Sequence, residues 1–436
     1  MLVRARRSAV PGKKAAAVVC AALVALVPGA VTAPATTAPP ASTCPNATLP
    51  PPPVDSSEVP PPGIPSPQPL PVPEQPVGGE SLGRCGVVTP PGEPVPERVG
   101  STTWMVAELG SSDVLAAKNP HGRHRPASII KVLTALVTIR ELELTDTLTA
   151  APADAAVEGS KVGLVPGVTY TVDQILAGLI MQSGNDAAHA LTRALGGERA
   201  TLDRMNELAH RLGALDTRAA TSSGLDGPGM TTSAYDMALI FRAALRQPAF
   251  ARIATTRVTT LPTPPGEAPM KVYSDNDVLT TYPGAIGAKS GFTDDARHTY
   301  IAAAERDGRR LVAVLMRGEY RPVDLDVQAK ALLNYGFRLT GTEPIGRLVE
   351  PRPQPTASST GVEHAAGVED GSASPVESSA DRPRPHTSLF GNVGGPLALL
   401  LAAGVVAFGV VALRQRRARL ASVARRDSLG PPDDHP

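Results

Sequence analysis

Along this chain the spacing of apolar positions changes several times, and each change marks an element. Residues 104–108 alternate as a strand does, 110–113 are turn-like, and 114–117 pair back as a hairpin. Arg125-Pro126-Ala127 then opens an apolar-periodic run over 128–142, with proline where helices start. Thr171 followed by Gln174 has the form of a capping box before a second helix at 172–181. Further helical runs lie near 186–195, 200–212, 233–245 and 324–334. Residues 287–292, 299–304 and 311–316 read as strands, the last two joined by a turn at 306–310. Together these predict one mixed α/β domain over 99–349, with several helices and an antiparallel sheet built from both ends of the domain.

Two apolar runs lie outside that domain. Residues 15–27 follow a basic start and give way to small residues through Ala33, the form of a cleavable export signal over 1–33. Residues 393–413 carry no charge, which is the length of a membrane span. Six arginines follow between 414 and 426, and positive charge stays cytoplasmic. The expected topology is a type I single-pass protein of the cell membrane. Its folded domain is extracytoplasmic, its span covers 389–413, and a basic tail occupies 414–436.

Composition sharpens the division. The chain of 436 residues contains 46 prolines, and 21 of them fall in residues 34–99. That density favours extended chain over a packed core, so 34–98 reads as a proline-rich arm. Residues 350–388, rich in Pro, Ser, Thr and acids, read as a disordered stalk. The formal charge of +1 sums two basic ends and a middle of about −7, which excludes a generic nucleic-acid binder. Of three cysteines, Cys20 leaves with the signal. Cys44 and Cys85 remain as a pair in an exporting context, and read as a disulfide.

Three short motifs carry candidate chemistry. Ser128-Ile129-Ile130-Lys131 stands at a helix start, where a spacing of three puts hydroxyl and amine on one face. A neutral lysine can deprotonate a serine nucleophile, provided burial or a nearby cation lowers its pKa. Ser183-Gly184-Asn185 lies between two helical runs, where a tight turn would present both polar side chains to one side. Lys289-Ser290-Gly291-Phe292 lies on a strand, offering a cation and a hydroxyl for a carboxylate. Each motif alone reads more readily as a helix cap, a helix break or a solvated strand end.

Their order and placement are those of the S-x-x-K, S-x-N, K-[ST]-G serine enzymes. Through R-H-R-P-A-S-I-I-K, L-I-M-Q-S-G-N-D-A-A, S-G-L-D-G-P-G-M and G-A-K-S-G-F-T-D-D-A, the chain resembles the D-alanyl-D-alanine carboxypeptidases over about residues 98–340. These are low-molecular-mass penicillin-binding proteins, and the closest likeness is to membrane-anchored actinobacterial members. The resemblance implies a β-lactamase/DD-peptidase-like α+β fold, with an antiparallel sheet and a helical subdomain. It implies action on peptidoglycan stem peptides, covalent inhibition by β-lactam antibiotics, and no cofactor or metal. Ser128 would be the nucleophile and Lys131 its base. Ser183 would assist proton transfer, and Asn185 would hold the acyl-side amide. Lys289 and Ser290 would bind the substrate carboxylate, with Gly291 allowing close approach. The backbone N–H groups of Ser128 and Phe292 would form the oxyanion hole.

The chain also departs from the family pattern. It has K-S-G in place of the usual K-T-G, and Arg321 is the nearest candidate for a downstream carboxylate-binding arginine. No counterpart of the family's second β-domain follows. His121, Arg123, His124 and Arg125 read as a solvated basic loop at the rim of the site. A class A β-lactamase would need a glutamate near residues 215–230, and none stands there. A catalytically inactive wall scaffold would not need both lysines and all the hydroxyls.

Overall fold

The computed structural model describes residues 44–352. The export signal, most of the stalk, the predicted span and the basic tail lie outside the described residues. Among the described residues, no helix is long and apolar enough to cross a membrane.

The proline-rich arm leads into a short strand, β1 (Val87–Val88), then the expected hairpin of β2 (Thr103–Glu108) and β3 (Asp113–Lys118). A 3-10 turn at Ala127–Ile130 runs straight into α1 (Lys131–Glu141). After β4 (Thr147–Thr149), α2 (Pro152–Ala155) and β5 (Thr169–Thr171) comes α3 (Val172–Met181), capped as predicted. The Gln174 N–H donates to Thr171 Oγ1, and the Thr171 N–H donates back to Gln174 Oε1. Three more helices follow: α4 (Asn185–Ala194), α5 (Glu198–Leu212) and α6 (Ala234–Leu245), the last capped by Ser233. The sequence pattern did not reveal α7 (Pro248–Thr255), the hairpin of β6 (Val258–Leu261) and β7 (Met270–Tyr273), or the single turn α8 (Asp277–Thr281). The chain closes with β8 (Ala285–Thr293), β9 (Arg297–Arg306), β10 (Arg309–Gly318), α9 (Leu325–Arg338) and β11 (Gly346–Arg347).

Seven strands form one antiparallel sheet, in the order β1-β3-β2-β10-β9-β8 with β11 added on β3. Both faces are covered. Met105 and Ala107 on β2, with Val312, Val314 and Met316 on β10, pack toward the helical layer of α1, α3, α4, α5 and α6. The alternate residues Trp104, Val106, Leu311, Ala313 and Leu315 pack toward α9 and α8. Strand β8 is the last in the order, so one of its edges faces the nucleophile turn instead of another strand.

The arm is not a loose leader. A disulfide joins Cys44 to Cys85, and between them the arm lies on the basic loop 121–125. That corrects the expectation of a solvated loop. Arg123 is fully buried, donating to Asp216 and to the carbonyls of Thr48, Leu70 and Pro71. Arg125 is equally buried, paired with Glu58 and the Pro51 carbonyl. A proline-rich stretch has few backbone N–H donors for its carbonyls, and the two guanidiniums supply donors to four of them.

Candidate active site

The nucleophile turn is held from three sides. Ala127, just before Ser128, has φ +48, a conformation unusual for a residue with a side chain. Thr299 Oγ1 on β9 donates to the carbonyl of Pro126 at 2.8 Å. A Cβ on Gly224 (φ +86) would lie 2.1 Å from the Ala127 carbonyl oxygen, so only glycine lets that loop approach.

Lys131 is fully buried, with its Nζ 2.8 Å from Ser128 Oγ, 2.7 Å from Asn185 Oδ1 and 2.5 Å from the Ser223 carbonyl oxygen. The Asn185 amide is oriented by its Nδ2, which donates to the Glu158 carbonyl at 2.6 Å. Its oxygen therefore faces the lysine. Burial holds the Lys131 pKa well below its ordinary value, and the charge of Lys289 depresses it further. A neutral amine has two hydrogens, and Asn185 Oδ1 and Ser223 O can only accept. Both hydrogens are spent on them. The lone pair then faces the Ser128 hydroxyl.

Lys289 is also buried, and its Nζ donates to the Ser290 carbonyl at 2.8 Å. Burial lowers its pKa to about 8, with Asp275 acting in the opposite sense. Ser183, in the break between α3 and α4, has φ +57, and its hydroxyl makes no hydrogen bond among the described residues. Asp186, one residue beyond Asn185, accepts from the N–H groups of Val162, Gly163 and Leu164 and so anchors that turn. Gly291 on β8 lies against the nucleophile, where a Cβ would meet Ser128 N at 2.7 Å and Thr299 Oγ1 at 2.6 Å.

Residues 89–319 match the D-alanyl-D-alanine carboxypeptidase family of peptidases, family S11. The chain belongs to that family. It is 44% identical over 260 residues to the D-alanyl-D-alanine carboxypeptidase DacB2 of Mycobacterium tuberculosis, covering 58% of this chain and 88% of the relative. Identity to DacF of Bacillus subtilis is 29% over 247 residues, covering 55% of this chain and 63% of that longer protein. Among solved structures, a D-alanyl-D-alanine carboxypeptidase from Mycobacterium tuberculosis H37Rv superposes with a TM-score of 0.57 at 42% identity, covering 60% of this chain and 100% of that one. The Streptomyces K15 DD-transpeptidase superposes at 0.54 and 26% identity, covering 56% and 99%.

Set in this S11 framework, the structure brings Ser128, Lys131 and Asn185 into direct contact and lays β8 with Lys289 and Gly291 beside them. Arg321 makes no bond to these groups. It is exposed in the loop after β10, and makes no hydrogen bond or ion pair among the described residues. Phe292 is half exposed, its ring against His298 and its face toward the Arg297 guanidinium. Sequence reasoning missed Ser223, which acts through a carbonyl and so leaves no side-chain signature, and Asp275, whose surroundings match no motif. An apolar cleft of about 980 Å³ between the arm and α5 includes none of the motif residues. The S11 site is defined by the converging polar groups, not by that cleft.

Proposed function

We propose that the domain is a serine-type carboxypeptidase that removes the terminal D-alanine from peptidoglycan stem pentapeptides. Lys131 takes the proton of Ser128 as the hydroxyl oxygen bonds to the carbonyl carbon of the penultimate D-alanine. The negative oxygen is held by the N–H groups of Ser128 and Phe292, an interaction worth several kcal/mol of barrier (about 3 per donor). Collapse breaks the carbon–nitrogen bond. The proton passes through Ser183 to the departing amine, while Lys289 and Ser290 hold the D-alanine carboxylate. Water then adds to the acyl-enzyme, giving a proton to Lys131, which passes it to Ser128 Oγ as the acyl carbon–oxygen bond breaks and the shortened peptide leaves.

One observation carries this reading: a buried lysine whose two pure acceptors turn its lone pair toward a serine hydroxyl. β-Lactams would acylate the same oxygen. Residues 215–230 supply no glutamate to activate a deacylating water, so release of penicillin should be slow. The remaining topology belongs to the same proposal. Residues 389–413 anchor the chain in the membrane, with the catalytic domain outside.

The test is mass spectrometry of free D-alanine released from a pentapeptide, with Ser128→Ala as control. Release by the wild type and none by the variant is expected. Equal release by both, or rapid catalytic turnover of penicillin by the wild type, would overturn the assignment.

A further inference from the structure

The part of the arm between Pro51 and Glu58 touches two walls of the site at once. Its Glu58 carboxylate forms a two-point pair with Arg125, Nη2 donating to Oε2 at 2.7 Å and Nε to Oε1. Arg125 stands three residues before the nucleophile, and its Nη1 donates to the Pro51 carbonyl at 2.7 Å. The Val54 N–H donates to Asp295 Oδ1, in the turn that ends the strand carrying Lys289, Ser290 and Gly291. Asp295 is itself buried and lies 3.9 Å from the Arg125 guanidinium. A third carboxylate, Asp226, joins Glu58 and Asp295 in the same cluster, and comes from the loop that supplies the Ser223 carbonyl to Lys131.

The arm therefore closes a bracket. One side is the segment that delivers Ser128, the other is the strand that lies against the Ser128 N–H, and Glu58 and Val54 span them. The tolerance there is small, because a single added carbon on Gly291 would collide with Ser128 N. A planar guanidinium held at two points by a carboxylate fixes direction as well as distance. The strained φ of Ala127 also needs surroundings that hold it in place.

We infer that Glu58 is a positioning residue for the reaction: acting through Arg125, the proline-rich arm sets the separation of Ser128 from the Lys289–Phe292 strand. The arm is then a working part of the catalytic domain, although the family match begins only at residue 89. The inference rests on the carboxypeptidase reading and adds a component to it.

The experiment uses the full chain and four variants. Glu58→Gln keeps the size of the side chain but cannot accept at both points. Val54→Pro removes the one N–H that reaches Asp295, and Val54→Ala is the control that keeps it. Glu58→Asp restores the charge. Acylation by a labelled penicillin and kcat for D-alanine release are expected to fall about 10- to 100-fold in the first two, the scale of an ångström-sized misplacement. KM should stay near wild type while the unfolding midpoint falls in Glu58→Gln, which leaves the buried Arg125 short of its partner, and Glu58→Asp should recover most of the loss in rate and midpoint. Wild-type rates in Glu58→Gln would overturn the inference. So would a joint loss of kcat, KM and folded protein that the aspartate does not rescue. A wild type that neither acylates nor releases D-alanine would instead sink the carboxypeptidase reading.

Discussion

The Lys131 amine lies 2.8 Å from the Ser128 hydroxyl, and its other two neighbours are oxygens that cannot donate. A second lysine, Lys289, depresses its pKa from the opposite wall. One cation thus prepares the base while remaining charged itself, and the two lysines should be separable by pH.

The rate of acylation should rise as Lys131 loses its proton, well below the ordinary lysine range, and fall again as Lys289 deprotonates near pH 8. Lys289→Arg keeps the cation charged and should move the alkaline limb upward by more than one pH unit (about the difference between a depressed lysine and an arginine). A pH–rate profile for penicillin acylation measures both. An alkaline limb that stays in place in the variant would remove Lys289 from this role.

Gly291→Ala should cripple the reaction. The added methyl meets a backbone nitrogen at 2.7 Å, so either β8 or the nucleophile turn has to shift. Acylation should fall by about a hundredfold. Ser290→Thr, which restores the family's usual residue at a half-buried position, should lower KM with little change in kcat.

Asp236 should contribute stability that is lost as pH rises from about 4 to 8. Burial, helped by the neighbouring Asp216 charge, raises the Asp236 pKa to about 8. The folded chain keeps a proton that the unfolded chain has already lost, so stability drops through that window. His121 acts the same way. Burial, the largest single influence, pulls its pKa down, but the bond to Asp216, the charges of Asp216 and Asp236 and the Val77 carbonyl together leave it raised, so its contribution is present below its unfolded value and fades as pH rises through the folded one. Asp216 itself is lowered, which matters only on the acid side, below about pH 4. His124, whose pKa burial lowers to about 3, acts in the opposite sense below about pH 7, so the measurement is a difference: the melting temperature of the wild type minus that of Asp236→Asn should shrink as pH rises from about 4 through about 8.

Reduction of Cys44–Cys85, or its replacement by two serines, should loosen the arm. The bridge spans 41 positions, for which chain entropy alone gives roughly 4 kcal/mol, less where proline already stiffens the chain. The loss should appear in the unfolding midpoint and, through Glu58, in the acylation rate. Parallel titrations with a thiol reductant would show whether the two readouts move together.

The helices were legible because their faces and caps are written locally: α3 begins and ends at the predicted residues, and Thr171 and Gln174 cap it as their spacing implies. Strands β8, β9 and β10 were found but drawn short, since Arg297, Arg306 and Arg309 at their ends look like loop residues in the sequence. Hairpin β6–β7 and α7 stayed hidden because the strands are only four residues each and expose Val258 and Tyr273, which blurs the alternation; the Pro-Pro-Gly turn at 264–266 and Pro248 at the helix start are the signals that could have found them. The motif residues were legible as side chains. What completes the site was not: the Ser223 carbonyl is a backbone group, and the partners of Arg123 and Arg125 are carbonyls and a glutamate in a stretch whose composition pointed to extended chain.

The bond from Val54 to Asp295 joins positions 241 residues apart. The arm is made early in synthesis, yet its docking stays incomplete until the β8–β9 turn exists. Contacts of such sequence separation form late, after the closure of the large loop between them. Completion of the nucleophile's surroundings is thereby tied to completion of the whole domain, and a partly folded chain holds a serine and a lysine without the frame that would make them reactive.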